Sequence, residues 1–592
     1  MTLRVVLLLL AIAPLATPRA ARAADLTLEF RHLWQGQVVS LPNSNLPLPD
    51  GGHIALTRLA YLISNPVVGK LNADGSLQWL QREQWQAYVD ATDGLARVSV
   101  NGLPREKYAA LQFQIGLDEE TDASDPNGYP AGHPLNPAHN LHWSWQGGYI
   151  FLAAEGRFSP ATGPPAMGFS YHLGNAHNLM TVGLPLKVDL TKNQNATVII
   201  DFHLDRIFSG KNPIDIADQT STHGRKGDTR AEQLTQNIEQ AFDVRQLRYR
   251  NQPKSNNDDS AAPAHPDLVG TPKPFTIPKG FPIPALPTDF PLTQERVDLG
   301  KKLFHDTLLS RDSSVSCSSC HQSNYALTDG LQFSVGIDGK EGTRNSMPLA
   351  NLAWKSSFFW DGRAPSLREQ ALVPIEDPVE MHESLDNVTE KLADSQTYPD
   401  LFAEAFGDKQ ITPERIGIAI EQFLLTLTSF DSKFDRAMRG EAELTDEEKR
   451  GFELFFTEYE PRRELYGADC FHCHGGAFFT DHDFHNNGLS LSEDLGLEKV
   501  TGLEIDRGKF STPTLRNVAL TAPYMHDGRF DTLEQVLDHY TEGIDYSPHL
   551  DPNLAKHPGS GGIPLSEDDK AAIIAFLKSL SDEQFAPVPQ KS

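Results

Sequence analysis

The sequence predicts a multidomain protein, an N-terminal all-β sandwich followed by two all-α domains, and three observations carry that prediction. The chain has 592 residues, too many for one hydrophobic core, so two or three domains are expected. From Ala24 to about Arg250 apolar residues alternate with period two, and after Pro291 they recur with helical period. Between these regimes runs a polar, Pro-rich stretch.

The elements follow in order. Arg4 precedes an apolar run from Val5 to Leu15, and Ala21-Arg22-Ala23 supplies a small-x-small cleavage pattern. A secretory signal over residues 1–23 is expected, because a membrane span needs roughly 18 or more apolar residues. The mature chain is thus expected in the periplasm, with no membrane span. Over 24–250, Leu111, Phe113, Ile115 and Leu117 alternate, as do the stretches Tyr149 to Ala153 and Thr197 to His203. Asp50-Gly51-Gly52, Asn72 to Gly75 and Gln146-Gly147-Gly148 punctuate them with turn residues. Short antiparallel strands in a sandwich bury such a pattern best. Residues 251–291 read as an extended linker. Residues 292–440 and 441–592 then read as two helical domains. Thr293 is placed to cap a helix carrying Val297, Leu303 and Phe304, with Gly300 allowing a close helix approach. Thr445 with Glu448 and Ser566 with Asp569 are capping-box signatures before further apolar faces.

Composition narrows the function. A net charge of -27 argues against a nucleic-acid partner and against polybasic attachment to membrane. The four cysteines form two pairs, Cys317-Ser318-Ser319-Cys320-His321 and Cys470-Phe471-His472-Cys473-His474. Each gives two thiols for the vinyl groups of a haem and an adjacent imidazole for its iron. A disulfide or a four-thiolate zinc site would use the thiols but leaves the paired histidines unexplained. The helical domains are therefore expected to be cytochrome c-type haem domains holding two covalent haem c, with His321 and His474 as iron ligands.

Several further motifs flank the pairs in order: Leu299 to Phe304, Phe359-Trp360-Asp361-Gly362-Arg363, Pro378-Val379-Glu380-Met381, Pro513 to Asn517, and Pro523 to Arg529. With them, Thr293 to the C-terminus resembles the bacterial di-haem cytochrome c peroxidase superfamily, and within it the MauG and MbnH branch. The resemblance implies that Trp360 bridges the two haems and that Gln370 and Glu380 stand over the haem that meets hydrogen peroxide. Glu380 would carry a proton between the peroxide oxygens, and Gln370 would orient the bound molecule. Asn345, Thr521 and Pro523 match the superfamily's calcium site, where hard oxygen donors suit the ion. Two departures matter. No His occurs from Gln322 to Lys355, where reductively activated peroxidases carry a removable ligand. No Met occurs from Leu533 to Gly543, and Tyr540 stands where those enzymes carry one, so a phenolate is the expected ligand of the second haem, with Met525 or His526 as substitutes.

In the front half, Leu59 to Asn65, Phe113 to Asp118, His139 to Leu152 and Gly168 to Leu173 resemble the MbnP-like copper-binding family. In that family's partnership with MbnH-type proteins, a Trp becomes kynurenine and the product binds copper. The resemblance implies that the chain joins enzyme and substrate. Trp143, Trp145 and Trp34 are the candidate modified residues, and His133, His142 and His172 the expected copper ligands. Regular alternation would put Trp143 and Trp145 on one face, where core packing is the plainer role. Two other functions stay open: a peroxidase that detoxifies hydrogen peroxide with electrons from a small carrier, and a non-enzymatic copper-binding electron-transfer protein.

Overall fold

The computed structural model describes residues 23–586 except 73, 75, 82–84, 93–95, 144–146, 163–165, 193, 252–268, 491–492 and 557–558. The expected signal, but for its last residue, and Trp145 lie outside the described residues.

The front half is framed by β1 (Ala24–Trp34), β2 (His53–Leu71), β3 (Lys107–Ile115), β4 (Ile150–Ser159), β5 (Met167–Gly174), β6 (Met180–Asp189), β7 (Gln194–His203), β8 (Ser221–Thr222) and β9 (Phe242–Asn251). One sheet runs β9-β7-β1, and the other β6-β3-β2-β4-β5-β8, with shorter strands paired along β1 and β2. Between them Phe30, Phe202 and Phe242 meet Tyr61 and Phe113. Phe30 lies edge-on to Tyr61 at 6.0 Å and to Phe113 at 5.9 Å, the geometry aromatic quadrupoles favour. This is a sandwich core. The expectation of short antiparallel strands needs correcting, because β1 pairs with β7 and β5 with β8 in parallel. Strand β2 also runs 19 residues. It can do so because its register shifts between Ser64 and Val67, so one strand bends and serves two stretches of sheet.

The helical half contains α1 (Gln294–His305), α2 (Leu367–Glu376), α3 (Pro413–Leu425), α4 (Asp446–Phe455), α5 (Leu533–Glu542) and α6 (Glu567–Ser579). The same device is used twice. A Cβ at Gly300 of α1 would lie 1.8 Å from the Ala419 carbonyl of α3, and one at Gly451 of α4 would lie 2.0 Å from the Ala572 carbonyl of α6. Each pair of helices thus crosses backbone to backbone, with Phe423 and Phe576 closing the contact. The capping boxes at Thr445 and Ser566 form. Thr293 sits at the N-cap of α1, but its hydroxyl makes no capping bond; its backbone N–H instead donates to the side-chain carbonyl of Gln422 at 3.1 Å.

The Pro-rich stretch is extended without being detached. Its described part, from Val269, is tied to the first helical domain by Lys273 N–H to the Leu292 carbonyl and by the Trp354 indole donating to the Pro282 carbonyl at 2.6 Å. Phe281 is buried between Trp354 and Phe478.

The β4–β5 edge of the sandwich docks on the second helical domain. Arg157 is buried and donates to the Ser547 and Leu550 carbonyls at 2.8 and 3.0 Å. Ser221 donates to Glu458 at 2.8 Å, and the Asn140 amide to the Asp481 carbonyl at 2.8 Å. Gly168 admits the closest approach, since a Cβ there would meet the Pro552 carbonyl at 1.8 Å.

Candidate active site

Each cysteine pair lies on a single helical turn, Cys317–Cys320 in the first domain and Cys470–His472 in the second. Cys317 and Cys470 pack against different hydrophobic cores, so the two pairs do not converge on one four-thiolate site. The histidines are prepared for iron. Nδ1 of His321 lies 2.9 Å from the Leu327 carbonyl and Nδ1 of His474 3.0 Å from the Phe479 carbonyl. A donor bond at Nδ1 fixes the tautomer that leaves the Nε2 lone pair for a metal. This is the fit a covalently attached haem requires.

Around the first pair, α2 carries Gln370, and the turn after that helix carries Glu380. Burial pushes the Glu380 carboxyl up to about 7, helped by Asp377 and opposed by Arg363. Its charge is also felt at Cys317 and Cys320, which places it beside the first motif. A carboxyl with that affinity can both accept and return a proton near neutral pH. Trp360 is buried, and its indole N–H donates to the Asn345 carbonyl at 2.9 Å. Its own carbonyl accepts from Ser511 N–H at 2.8 Å, a residue of the second domain, so its backbone reaches across to that domain while its ring is held within the first.

On the second pair's side, α5 delivers Tyr540. Its hydroxyl lies 3.2 Å from the Asn487 amide nitrogen, which also approaches Met525 Sδ at 3.5 Å. Burial pushes the phenol up to about 12, and the electrostatic influence of Cys473 and Cys470 locates it over the second motif. Met525 shares this pocket; His526 instead lies flat on Phe510 with ring centroids 3.6 Å apart.

The three residues expected to hold calcium come from two segments that the structure joins. Asn345 N–H donates to the His526 carbonyl at 2.8 Å, and its amide nitrogen donates to the Leu331 carbonyl at 2.9 Å. Thr521 and Pro523 precede His526 on the same loop.

The front-domain histidines sort differently from the expectation. His133 stacks on Tyr129, and its Nδ1 accepts from Leu135 N–H at 3.1 Å. His142 lies edge-on to Tyr149. Neither joins His172, because both sit on loops that local contacts hold. His172 meets instead His223 and His472, with one ring nitrogen of each within 4.8 Å of those of the others. The parallel register that pairs Tyr171 with Thr222 brings His172 beside His223, and domain docking brings in His472, one of the two residues between the cysteines of the second haem motif. His223 and His472 carry no local signal, since one follows a two-residue strand and the other looks like a filler position.

The tryptophans also separate. Trp34 is buried, packs on Phe208, and donates to the Pro47 carbonyl at 2.8 Å. Trp143 is buried at the interface, 6.1 Å from His223. His223 stacks on His472 at 5.5 Å, two residues from His474. Gly174 makes room for the indole, since a Cβ there would fall 2.5 Å from its ring. Trp143 N–H donates to the Gly148 carbonyl and Gly147 N–H to the Trp143 carbonyl, and β4 starts at Ile150. An open cleft of about 2150 Å³ runs along this interface, with Trp143, His142, His172 and His472 in its walls.

The family model of the di-haem cytochrome c peroxidases matches residues 294–443, and that of MbnP matches residues 23–225. Among curated relatives, methylamine utilization protein MauG of Methylorubrum extorquens is 39% identical over 324 residues, which cover 54% of this chain and 87% of that protein. Cytochrome c551 peroxidase of Nitrosomonas europaea is 33% identical over 313 residues, covering 51% and 85%. The crystal structure of a MauG-like protein associated with microbial copper homeostasis is 36% identical, with a TM-score of 0.47, and is matched over 99% of its length by 54% of this chain. No described helix is long and apolar enough to cross a membrane. The chain belongs to the di-haem cytochrome c peroxidase and MauG family, carries an MbnP domain ahead of it, and is a peroxidase-type oxidoreductase with two c-type haems.

Proposed function

We propose that this protein uses hydrogen peroxide, in the periplasm, to oxidise Trp143 of its own MbnP domain towards kynurenine. One observation carries the choice of residue: Trp143 is buried against the haem domain, and His223 and His472 fill the space between its indole and the second haem motif. Haem bound at the two motifs would store the oxidising equivalents of the peroxide. The chain's own groups do the rest. Gln370 orients the peroxide, and Glu380 accepts a proton from its near oxygen and returns it to the far oxygen, which leaves as water. Trp360 offers an aromatic path between the motifs. Tyr540 would hold the iron of the second haem through its phenol oxygen, which as a phenolate favours oxidised iron more than a thioether would. Asn345, Thr521 and Pro523 would hold a calcium ion that fixes the loops on which Trp360 and His526 rest. The net reaction consumes two molecules of hydrogen peroxide per Trp, inserts two oxygen atoms to give N-formylkynurenine, and releases two of water. Hydrolysis then removes the formyl carbon as formate.

Peptide mass spectrometry of the protein isolated with both haems tests this. The peptide containing Trp143 is expected to carry N-formylkynurenine or kynurenine in the parent and to be unmodified in Glu380→Gln. An unmodified Trp143 in the fully loaded, peroxide-treated parent contradicts it, and leaves detoxification of peroxide with an external electron carrier as the activity.

A further inference from the structure

We infer that Tyr88 and Asp90 form a second oxidisable site on the front domain, from which the peroxide-oxidised second haem draws a single electron while Asp90 takes the phenolic proton. The two residues share one face of the strand Gln86–Asp90, which pairs antiparallel with β2 and sets Tyr88 opposite Leu62 and Asp90 opposite Ala60. The Tyr88 hydroxyl donates to Oδ2 of Asp90 at 2.5 Å. Oδ1 accepts from the Thr92 N–H at 2.9 Å and from the Thr92 hydroxyl at 2.5 Å. Donors on both oxygens hold this buried side chain as a carboxylate. Loss of an electron makes a phenol far more acidic than a carboxylic acid, and here the base already stands at hydrogen-bond distance. Tyr108, Tyr149 and Tyr171 differ, because they donate to the carbonyls of Pro104, Leu135 and Gln219, which cannot keep a proton. Tyr398 does donate to a carboxylate, Asp306 at 2.6 Å, but inside the core of the first helical domain.

The site faces the second haem motif. Tyr88 stacks on His139 with ring centroids 4.0 Å apart. The next residue, Asn140, donates to the Asp481 carbonyl at 2.8 Å, and Asp481 N–H donates to the Cys473 carbonyl at 2.8 Å. One stacked pair and two hydrogen bonds thus join the phenol to a haem-tethering residue, by a route separate from the His223–His472 contact at Trp143. Arg58 fixes this route, donating to the carbonyls of His139 and Asn140 at 3.4 and 3.0 Å while it pairs with Glu155. Tyr88, Asp90 and His139 line the same open cleft as Asp481 and Asp483 of the haem domain, so a small ene-diol or phenolic reductant can reach the oxidised residue. The step balances. Tyr88 loses one electron to the haem and one proton to Asp90, and becomes a neutral phenoxyl radical. One electron from the reductant and the proton held on Asp90 restore the phenol. Such a site spends oxidising equivalents that arrive when Trp143 is already converted.

The inference rests on oxidation of the haems by peroxide and not on conversion of Trp143, whose fate is read separately by mass. Rapid-freeze electron paramagnetic resonance of full-length, haem-loaded Trp143→Phe protein mixed with peroxide tests it, with absorbance reporting that the haems are oxidised. An organic radical is expected whose hyperfine splitting narrows when the protein carries ring-deuterated tyrosine, and which ascorbate discharges. Adding Tyr88→Phe is expected to abolish the signal, and adding Tyr398→Phe to leave it. Asp90→Asn is expected to slow formation of the radical by roughly 10²-fold, the worth of a positioned base, and Asp90→Glu to restore it, which a merely structural role would not do. A tyrosine radical that survives Tyr88→Phe, no tyrosine radical once the haems are oxidised, or undiminished formation in Asp90→Asn would each overturn the assignment.

Discussion

In the proposed reaction Glu380 carries the proton between the peroxide oxygens, and its environment sets a pH dependence. Burial raises its affinity for protons to about 7, and it must be deprotonated to accept the first proton from peroxide. The rate of reaction with peroxide is therefore expected to rise as pH increases through about 7 and to level off above it. Glu380→Gln should remove this rise and slow the reaction by roughly 10²–10⁴-fold, the usual worth of a positioned acid–base group; stopped-flow absorbance across pH 5–9 reads both. Tyr540 makes a second residue-scale prediction. On the proposed role of Tyr540 as a ligand of the second haem's iron, Tyr540→Phe should change the absorption spectrum of the oxidised protein while leaving two haems attached, because the tethering thiols and His474 are untouched. The haem ligands were legible in the sequence because the chemistry of covalent attachment forces five neighbouring positions. His223 and His472 were not, because their meeting depends on a parallel strand pair and a domain interface, and no spacing along the chain encodes either.

At the scale of elements, the two haem-motif domains rest on crossed helices whose contact point is glycine. Replacing Gly by Ala in a helix interior ordinarily adds up to about 1 kcal/mol of stability. At Gly451 the added carbon would collide with the Ala572 carbonyl, so the sign should reverse. Gly451→Ala is expected to lose about 1–3 kcal/mol by overpacking, seen as a lower midpoint of denaturant unfolding; an unchanged or raised midpoint would contradict the close crossing. Sequence reading found Gly300 through its place on the apolar side of α1, and found the capping boxes through their side-chain pairs. It placed Thr293 correctly at the N-cap of α1, although the hydroxyl makes no capping bond. In the sandwich, alternation located the strands around Leu111 and Thr197, but it says nothing about whether neighbours run parallel, and so the β1–β7 and β5–β8 pairs were hidden.

At the scale of the whole molecule, a docked edge joins the MbnP domain to the second haem-motif domain, and the proposed oxidation of Trp143 depends on that contact. Arg157 is central to it, since its buried guanidinium holds two carbonyls of the haem domain. Arg157→Ala should loosen the dock without touching either haem motif. Conversion of Trp143 per molecule of peroxide is then expected to fall several-fold while haem content stays constant; conversion at the parent's level would show that the crossing of the interface does not depend on this contact. The acidity of the chain acquires no role in this scheme beyond solubility, whereas His472 in the second cysteine motif stacks on His223 of the front domain, the contact on which the proposed oxidation relies.

The most direct measurement is the intact mass of the haem-loaded protein before and after addition of hydrogen peroxide, for the parent and for Trp143→Phe, Trp145→Phe and Trp34→Phe. The account predicts that the peroxide-dependent gain of oxygen survives in the Trp145 and Trp34 variants and vanishes in Trp143→Phe. The same gain in Trp143→Phe would contradict it.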